Sequence, residues 1–242
     1  MRQHPTCSSC NSTACFINRF VGKEWKDQLS VHKTVQHYKA GALIFKEGDP
    51  VTGIYFIFSG KVKVYNTGPD NRSQIVRLAN SGNILGHRGL GLGLSLHYPI
   101  SAATLEDSII CFIRTNDFLA ALEKSPAFAI NLVMFYAAEL RRAEYKLRSL
   151  SQMTVRQKLA DAILTVREIY GTRLHNGKKV LAVKLSRQDY ADIIGASIEE
   201  VIRTFSQFKK EGILLSEGKY IAIQKEKELH KMMKGFRDIH LP

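Results

Sequence analysis

Three cysteines, Cys7, Cys10 and Cys15, fall within nine residues of MRQHPTCSSCNSTACFI, and the rest of the chain holds one more, Cys111. Thiolates at C-x2-C spacing bind metal or cycle through redox states. Four of them suffice for a tetrahedral zinc ion, or for a cubane of four irons and four sulfides with one thiolate per iron. For zinc, His4 is an alternative fourth ligand to Cys111. The cysteines could also form a mobile redox tail, and Cys111 alone reads as a small buried hydrophobe of a strand. Other chemistries lack their residues. There is no nucleophile–base pairing, no HExxH and no phosphate-cradling P-loop, so no enzyme is expected. GLGLGL, from Gly89 to Leu94, is a poor phosphate loop because no lysine and no evident helix follow it. The eight histidines are scattered, with His32, His37, His87 and His97 as candidate haem ligands.

The chain that must position these groups has 242 residues, 45% hydrophobic and 24% charged, enough for two modest domains that each bury a core. No run approaches the ~18 consecutive apolar residues of a membrane span. The first twenty residues lack the basic-then-apolar order of a secretory signal. The expected compartment is a reducing cytoplasm, where a C-x2-C cluster points to metal or redox chemistry and not to disulfides. The net charge of +13 is uneven: residues 1–140 carry 14 Lys and Arg against 10 Asp and Glu, residues 141–242 carry 21 against 12. The C-terminal part is the half suited to a polyanion.

From Gly41 to Ile113 the sequence reads as β-structure. GALIFKEGD, GIYFIFSGKVKVY, SQIVRLANSGNILG and PISAATLEDSIICFI are short runs rich in Ile, Val, Phe and Tyr, punctuated by glycines. Such regular short strands favour a barrel or jelly roll. After Thr115 the period changes. A short helix spans 116–123, Ser125 and Pro126 supply an N-cap and a first-turn proline, and a long helix runs to about Leu150. Along it Ala129, Val133, Tyr136, Leu140, Ala143, Leu147 and Leu150 alternate steps of four and three, the pattern of a coiled-coil seam. The spacing predicts pairing with a second copy of the chain.

Another helix, MTVRQKLADAILTVREIYG, precedes VKLSRQDYADIIGASIEEVIRTFSQFKKEGILLSEGKYIAI. Ser186 can cap one helix, Gly195 turns the chain, and Ser197 with Glu200 has the spacing of a capping box for a second. Val201, Phe205 and Phe208 mark its buried face, and Glu199, Arg203, Ser206 and Lys210 an exposed one. A hairpin turned near Glu217 and Gly218 completes a winged helix-turn-helix, which places its second helix in a DNA major groove.

In this order of parts the chain resembles the CRP/FNR family of bacterial transcription regulators, through FKEGD (45–49), IYFIFSGKVKVY (54–65), 185–214 and GKYIAI (218–223). The resemblance implies an α+β fold. A cysteine-rich segment (1–22) is followed by a cyclic-nucleotide-binding-type β-roll (23–124), a dimerisation helix (125–151) and a winged helix-turn-helix domain (152–242). It also implies a homodimer on a palindromic operator of double-stranded DNA, with RNA polymerase as a further partner. Cyclic-nucleotide-binding members share a cassette of Gly-Glu and a later Arg-Ser or Arg-Thr, because a cyclic phosphate needs a bidentate cation. Here His87 stands in place of the glutamate, and no arginine occurs between Gly89 and Ile113. A cyclic nucleotide is therefore not expected, although Arg88 is available to a variant pocket.

The FNR-like branch carries three N-terminal cysteines at C-x2-C-x5-C and a fourth on a β-roll strand. This chain has C-x2-C-x4-C, and Cys111 in SIICFIRTNDF on the matching strand. The resemblance implies a 4Fe-4S cluster on Cys7, Cys10, Cys15 and Cys111 that senses oxygen, nitric oxide or redox state. A small ligand or haem in the roll, with zinc or redox thiols at the cysteines, is the alternative. The seam carries Ala143 and no carboxylate, so a dimer that persists without the cluster is expected. The implied interface is Val133, Tyr136, Leu140, Ala143, Leu147 and Leu150. The implied DNA-reading residues are Ser197, Ile198, Glu199, Ile202, Arg203 and Lys210. Glu199 and Arg203 match the family's reading pair. Ile198 and Ile202 either offer an apolar strip to thymine methyls or extend the buried face.

Overall fold

The computed structural model describes residues 6–90 and 97–236. His4 and most of the GLGLGL run, residues 91–94, lie outside the described residues. The chain divides into two compact units, Met1–Thr67 with Arg77–Arg142, and Gly68–Val76 with Ala143–Pro242. No single helix among the described residues is long and apolar enough to cross a membrane.

The first unit opens with two helices, α1 (Phe16–Phe20) and α2 (Lys23–His32). Eight strands follow: β1 (Thr34–Tyr38), β2 (Leu43–Phe45), β3 (Gly53–Ser59), β4 (Lys61–Thr67), β5 (Ser73–Asn80), β6 (Ile84–Leu85), β7 (Ser101–Thr104) and β8 (Ser108–Arg114). They form two four-stranded sheets, in the orders β1-β8-β3-β6 and β2-β7-β4-β5. This is the β-roll. β1 starts before the run that reads as β-structure in the sequence, because it is an edge strand, TVQHY, without the apolar alternation of a half-buried one. Between β3 and β4 the backbone of Gly60 has φ 119° and lies so close to Ser108 that a Cβ would fall 2.1 Å from its Oγ. Only glycine fits there.

Two more helices follow, α3 (Thr115–Lys124) and the 27-residue α4 (Pro126–Gln152), whose residues up to Arg142 belong to this unit. The early part of α4 packs on the roll: Phe128 and Leu132 are buried with Ile54, Phe56, Ile84, Ile113 and Phe118. Residues 128, 132, 135, 136 and 139 follow a helical period and make one face of α4 a wall of the roll.

The second unit contains α5 (Val155–Tyr170), a hairpin of β9 (Thr172–His175) and β10 (Lys178–Leu181), then α6 (Arg187–Ile194), α7 (Ile198–Lys210), the hairpin β11 (Leu214–Glu217) and β12 (Tyr220–Ile223), and α8 (Glu226–Met232). Reciprocal capping boxes start α5 (Thr154 with Gln157), α6 (Ser186 with Asp189) and α7 (Ser197 with Glu200). Gly195 ends α6 in the left-handed region, φ 62° and ψ 46°, where its N–H donates to the Ala191 carbonyl. The β9–β10 hairpin turns at Asn176 and Gly177, both at positive φ, as a tight primed turn requires.

One buried polar group stands out in the roll. His87 begins a single 3-10 turn, His87–Gly89, and neither ring nitrogen has a hydrogen-bond partner. Its ring meets Phe135 and Tyr136 edge-on, at centroid distances of 5.0 and 5.5 Å. Burial, aided by the charges of Arg77 and Arg88 and opposed by Glu139, pushes its pKa down to about 3. The unfolded imidazole titrates near 6.5, so on acidification the unfolded state takes up the proton first. Stability is fully present above about pH 6.5 and falls as the pH drops toward the folded value. Urea titrations at about pH 7.5 and pH 5 check this: the wild type should lose up to about 1.4 kcal/mol per pH unit more than His87→Leu across the acidic part of that range.

Candidate functional site

Cys111 lies in the middle of β8, opposite Val35 of β1 and Phe56 of β3. The N-terminal cysteines come to it because the segment that carries them is anchored in the core of the roll. Phe16 and Ile17, directly after Cys15, are buried. The Phe16 ring lies 5.8 Å from that of Phe128 and 5.5 Å from that of Phe135. The loop between Cys10 and Cys15 is tied from inside. Asn18 Nδ2 donates to the Cys10 and Ser12 carbonyls at 3.0 and 3.1 Å, and the Cys15 N–H donates to Ser12 O at 3.1 Å. The Cys7 N–H donates to Ser30 Oγ at 2.7 Å, and Ser8 is bonded to Asp27.

All four cysteines line one cavity, of about 380 Å³ including space open to solvent, together with Ile17, Asn18, Lys33, Phe56, Ile57, Phe58 and Ile113. All four are free thiols. Burial pushes the Cys15 thiol up, partly offset by the N–H groups of Asn18 and Ile17. Burial likewise pushes Cys111 up to about 12, with Lys33 pulling the other way. Thiols held protonated in this way are poor redox nucleophiles, and a metal must displace their protons to bind.

The donor set also bears on which metal fits. Among the described residues no three His, Cys, Asp or Glu side chains converge closely enough to hold a metal ion. A zinc ion with Zn–S bonds of about 2.3 Å draws its ligand sulfurs to about 3.8 Å of one another. A four-iron cluster takes one thiolate per iron. Four cysteines around one cavity supply the thiolate donors that a zinc ion or a four-iron cluster would take. The candidate haem ligands do not gather: His32, His37 and His97 are exposed, His32 pairs with Asp117 at 3.1 Å, and His87 is buried beside arginines.

The second site is the outer face of α7. Val201, Thr204, Phe205 and Phe208 are buried, while Glu199, Ile202, Arg203, Ser206 and Lys210 are exposed. Ile202 is 48% exposed, so it stands on the outer face and does not extend the buried one; Ile198 is half-buried. Ser197 has no hydroxyl to spare, since its Oγ takes the Glu200 N–H and faces the Glu200 carboxylate at 3.0 Å. Ser206 donates back to the Ile202 carbonyl at 2.9 Å.

The seam residues of α4 divide. Val133, Leu140, Ala143 and Leu147 are exposed and Leu150 is half-buried. Tyr136 is engaged by the roll, its hydroxyl donating to the His87 carbonyl at 2.6 Å. Ile130 and Met134, outside the heptad positions, add to the exposed apolar stripe; their signal was the helical neighbourhood of Val133, three and one residues away.

Residues 35–125 match the cyclic nucleotide-binding domain family, and residues 157–232 the Crp-like helix-turn-helix domain. The chain is 25% identical over 236 residues to the fumarate and nitrate reduction regulatory protein of Escherichia coli, covering 96% of this chain and 92% of that one. It is 24% identical over 218 residues to the anaerobic regulatory protein of Pasteurella multocida, covering 90% and 78%. Among solved structures, FixK2 from Bradyrhizobium japonicum superposes with a TM-score of 0.70 at 26% identity, covering 83% of this chain and 96% of that one. The regulator CLP of Xanthomonas campestris, described as c-di-GMP responsive, has the same fold, with a TM-score of 0.72 at 18% identity over 84% and 99%. A roll of the cyclic-nucleotide-binding type, a long helix and a Crp-like helix-turn-helix, shared with these proteins over most of the chain, identify it as a transcription regulator and not an enzyme: it belongs to the CRP/FNR family.

Proposed function

We propose that this regulator senses oxygen, nitric oxide or redox state through a 4Fe-4S cluster held by Cys7, Cys10, Cys15 and Cys111, and acts as a cytoplasmic homodimer on a palindromic operator, where it meets RNA polymerase. One observation carries the reading. Three cysteines of the N-terminal segment and one from the middle of β8 line the same cavity. The names of the relatives, an anaerobic regulatory protein and a fumarate and nitrate reduction regulatory protein, support it.

A bound cluster would supply one-electron chemistry and an iron–sulfide core that oxygen or nitric oxide can attack. The chain's own residues set its surroundings. Ile17, Phe56, Ile57 and Ile113 keep water from the thiolates, Lys33 brings a cation beside them, and Asn18 holds the C-x4-C loop in shape. The core contacts of Phe16 with Phe128 and Phe135 put the cysteine segment against α4. Order in that segment is thereby coupled to the helix that carries the exposed stripe.

On α7, Glu199 and Arg203 stand four residues apart on the exposed face, so they reach neighbouring base pairs. Glu accepts from cytosine N4 and Arg binds guanine O6 and N7. Ile202 beside them suits a thymine methyl. A site of TTGA-type half-sites about one helical turn apart follows from this pattern and the family's geometry.

Three experiments test the proposal. In anaerobically purified protein, each single change of Cys7, Cys10, Cys15 or Cys111 to Ser should abolish the iron–sulfur absorption and lower bound iron. Cys111→Ser decides the question, because an intact spectrum would make Cys111 a packing residue. In sedimentation at micromolar concentration, cluster-free wild type should remain dimeric and Leu140→Glu should be monomeric, since a carboxylate facing its symmetry mate in an apolar seam costs several kcal/mol. A fully dimeric variant would locate the interface elsewhere. In selection from randomised sites, Arg203→Ala should lose roughly 1–3 kcal/mol and its preference at one guanine. Lys210→Ala should weaken all sequences alike and reduce the salt slope by about one unit.

A further inference from the structure

The roll presents two half-buried cations at one place. Arg77 of β5 and Arg88 of the 3-10 turn are only 11% and 28% exposed, and His87 between them is held neutral by its burial. The carboxylate that meets both arginines comes from α4. Glu139 Oε2 lies 3.0 Å from Arg88 Nη2 and 3.6 Å from Arg77 Nε, and Oε1 accepts from Arg142 Nη1 at 2.7 Å. Glu139 is itself buried. Arg77 is steered by bonds to the Ile84 carbonyl and Asn83, at 2.9 and 3.4 Å, and by the face of Phe135 at 5.6 Å. Three guanidinium groups thus share one carboxylate, and two of the three belong to the roll. Burial pushes the Glu139 carboxyl up, and the three arginines outweigh it, so the group is held below its usual value and stays ionised.

A half-buried pair of arginines needs an anion. His87 and Arg88 lie in the run that resembles the family's phosphate cassette, yet the anion here is part of the chain. We propose that Arg77 and Arg88 form an anion site of the β-roll whose resident ligand is the carboxylate of Glu139, and that this ion cluster, in place of a diffusible ligand, fixes α4 on the roll. Arg142 supplies a third donor from the same helix, and Tyr136 closes the approach by its bond to the His87 carbonyl. The inference is independent of what the four cysteines hold.

Removal of the resident anion should create a vacancy that an external carboxylate can fill. In the full-length chain, Glu139→Ala should reduce hydrogen-exchange protection of residues 126–142 by roughly tenfold or more. Sodium acetate or formate should restore it, and sodium chloride of equal ionic strength should not. Glu139→Gln should lose protection similarly but gain nothing from acetate, because its amide fills the space. Unchanged protection in Glu139→Ala would overturn the proposal. So would a loss that neither carboxylate reverses, or equal rescue of both variants, which is a general salt effect. If Glu139→Ala does not fold in chloride, refolding in acetate decides: recovery supports the site, and failure in both acetate and formate overturns it.

Discussion

Burial of Phe16 and Ile17 in the core of the roll is the contact on which the N-terminal half depends. An N-terminal segment of small polar residues and cysteines has too little apolar surface to fold alone. Two large side chains placed directly after Cys15 give it an anchor among Phe56, Ile113, Phe118 and Phe128. A buried aromatic or aliphatic side chain of this size contributes about 1.5–3 kcal/mol, enough to order a short loop. The loop's own bonds, from Asn18 and Ser30, then settle where the thiols lie. The cavity at Cys111 exists because this anchor lays the segment against β8.

The same helix meets two demands. One face of α4 carries Phe128, Leu132, Phe135, Tyr136 and Glu139 to the roll, and another leaves Ile130, Val133, Met134, Leu140 and Leu147 exposed. The first face is held by apolar packing at its start and by the arginine–carboxylate cluster further on. Charged groups there are costly to desolvate, so their retention suggests directional fixing more than raw stability.

Much of this was legible in the chain itself, because the signals are local. Cysteine spacing, the Ser186 cap, the capping pair Ser197 with Glu200, and Gly195 after α6 all act within a few residues, and glycine-bounded runs mark most strands. What stayed hidden needed distant partners. Phe16 and Ile17 read as the end of a tail until β3, β8 and α4 close over them. Glu139 falls outside the heptad seam, and its roll partners lie at positions 77 and 88. Tyr136 matches the seam by spacing and also bonds the roll through its hydroxyl, since periodicity locates an apolar stripe without saying which surface it meets. The β9–β10 hairpin was readable, as Asn176-Gly177 is a strong turn signal, but it lies between two more conspicuous helical segments.

The three reciprocal capping boxes have a thermodynamic consequence. At the starts of α5, α6 and α7 the N3 N–H and the N-cap N–H each have a partner within the chain. α7 therefore starts from a cap that the chain itself supplies. A helix capped by its own chain lowers the ordering entropy that an association costs, and with it the negative heat-capacity contribution that coupled folding adds.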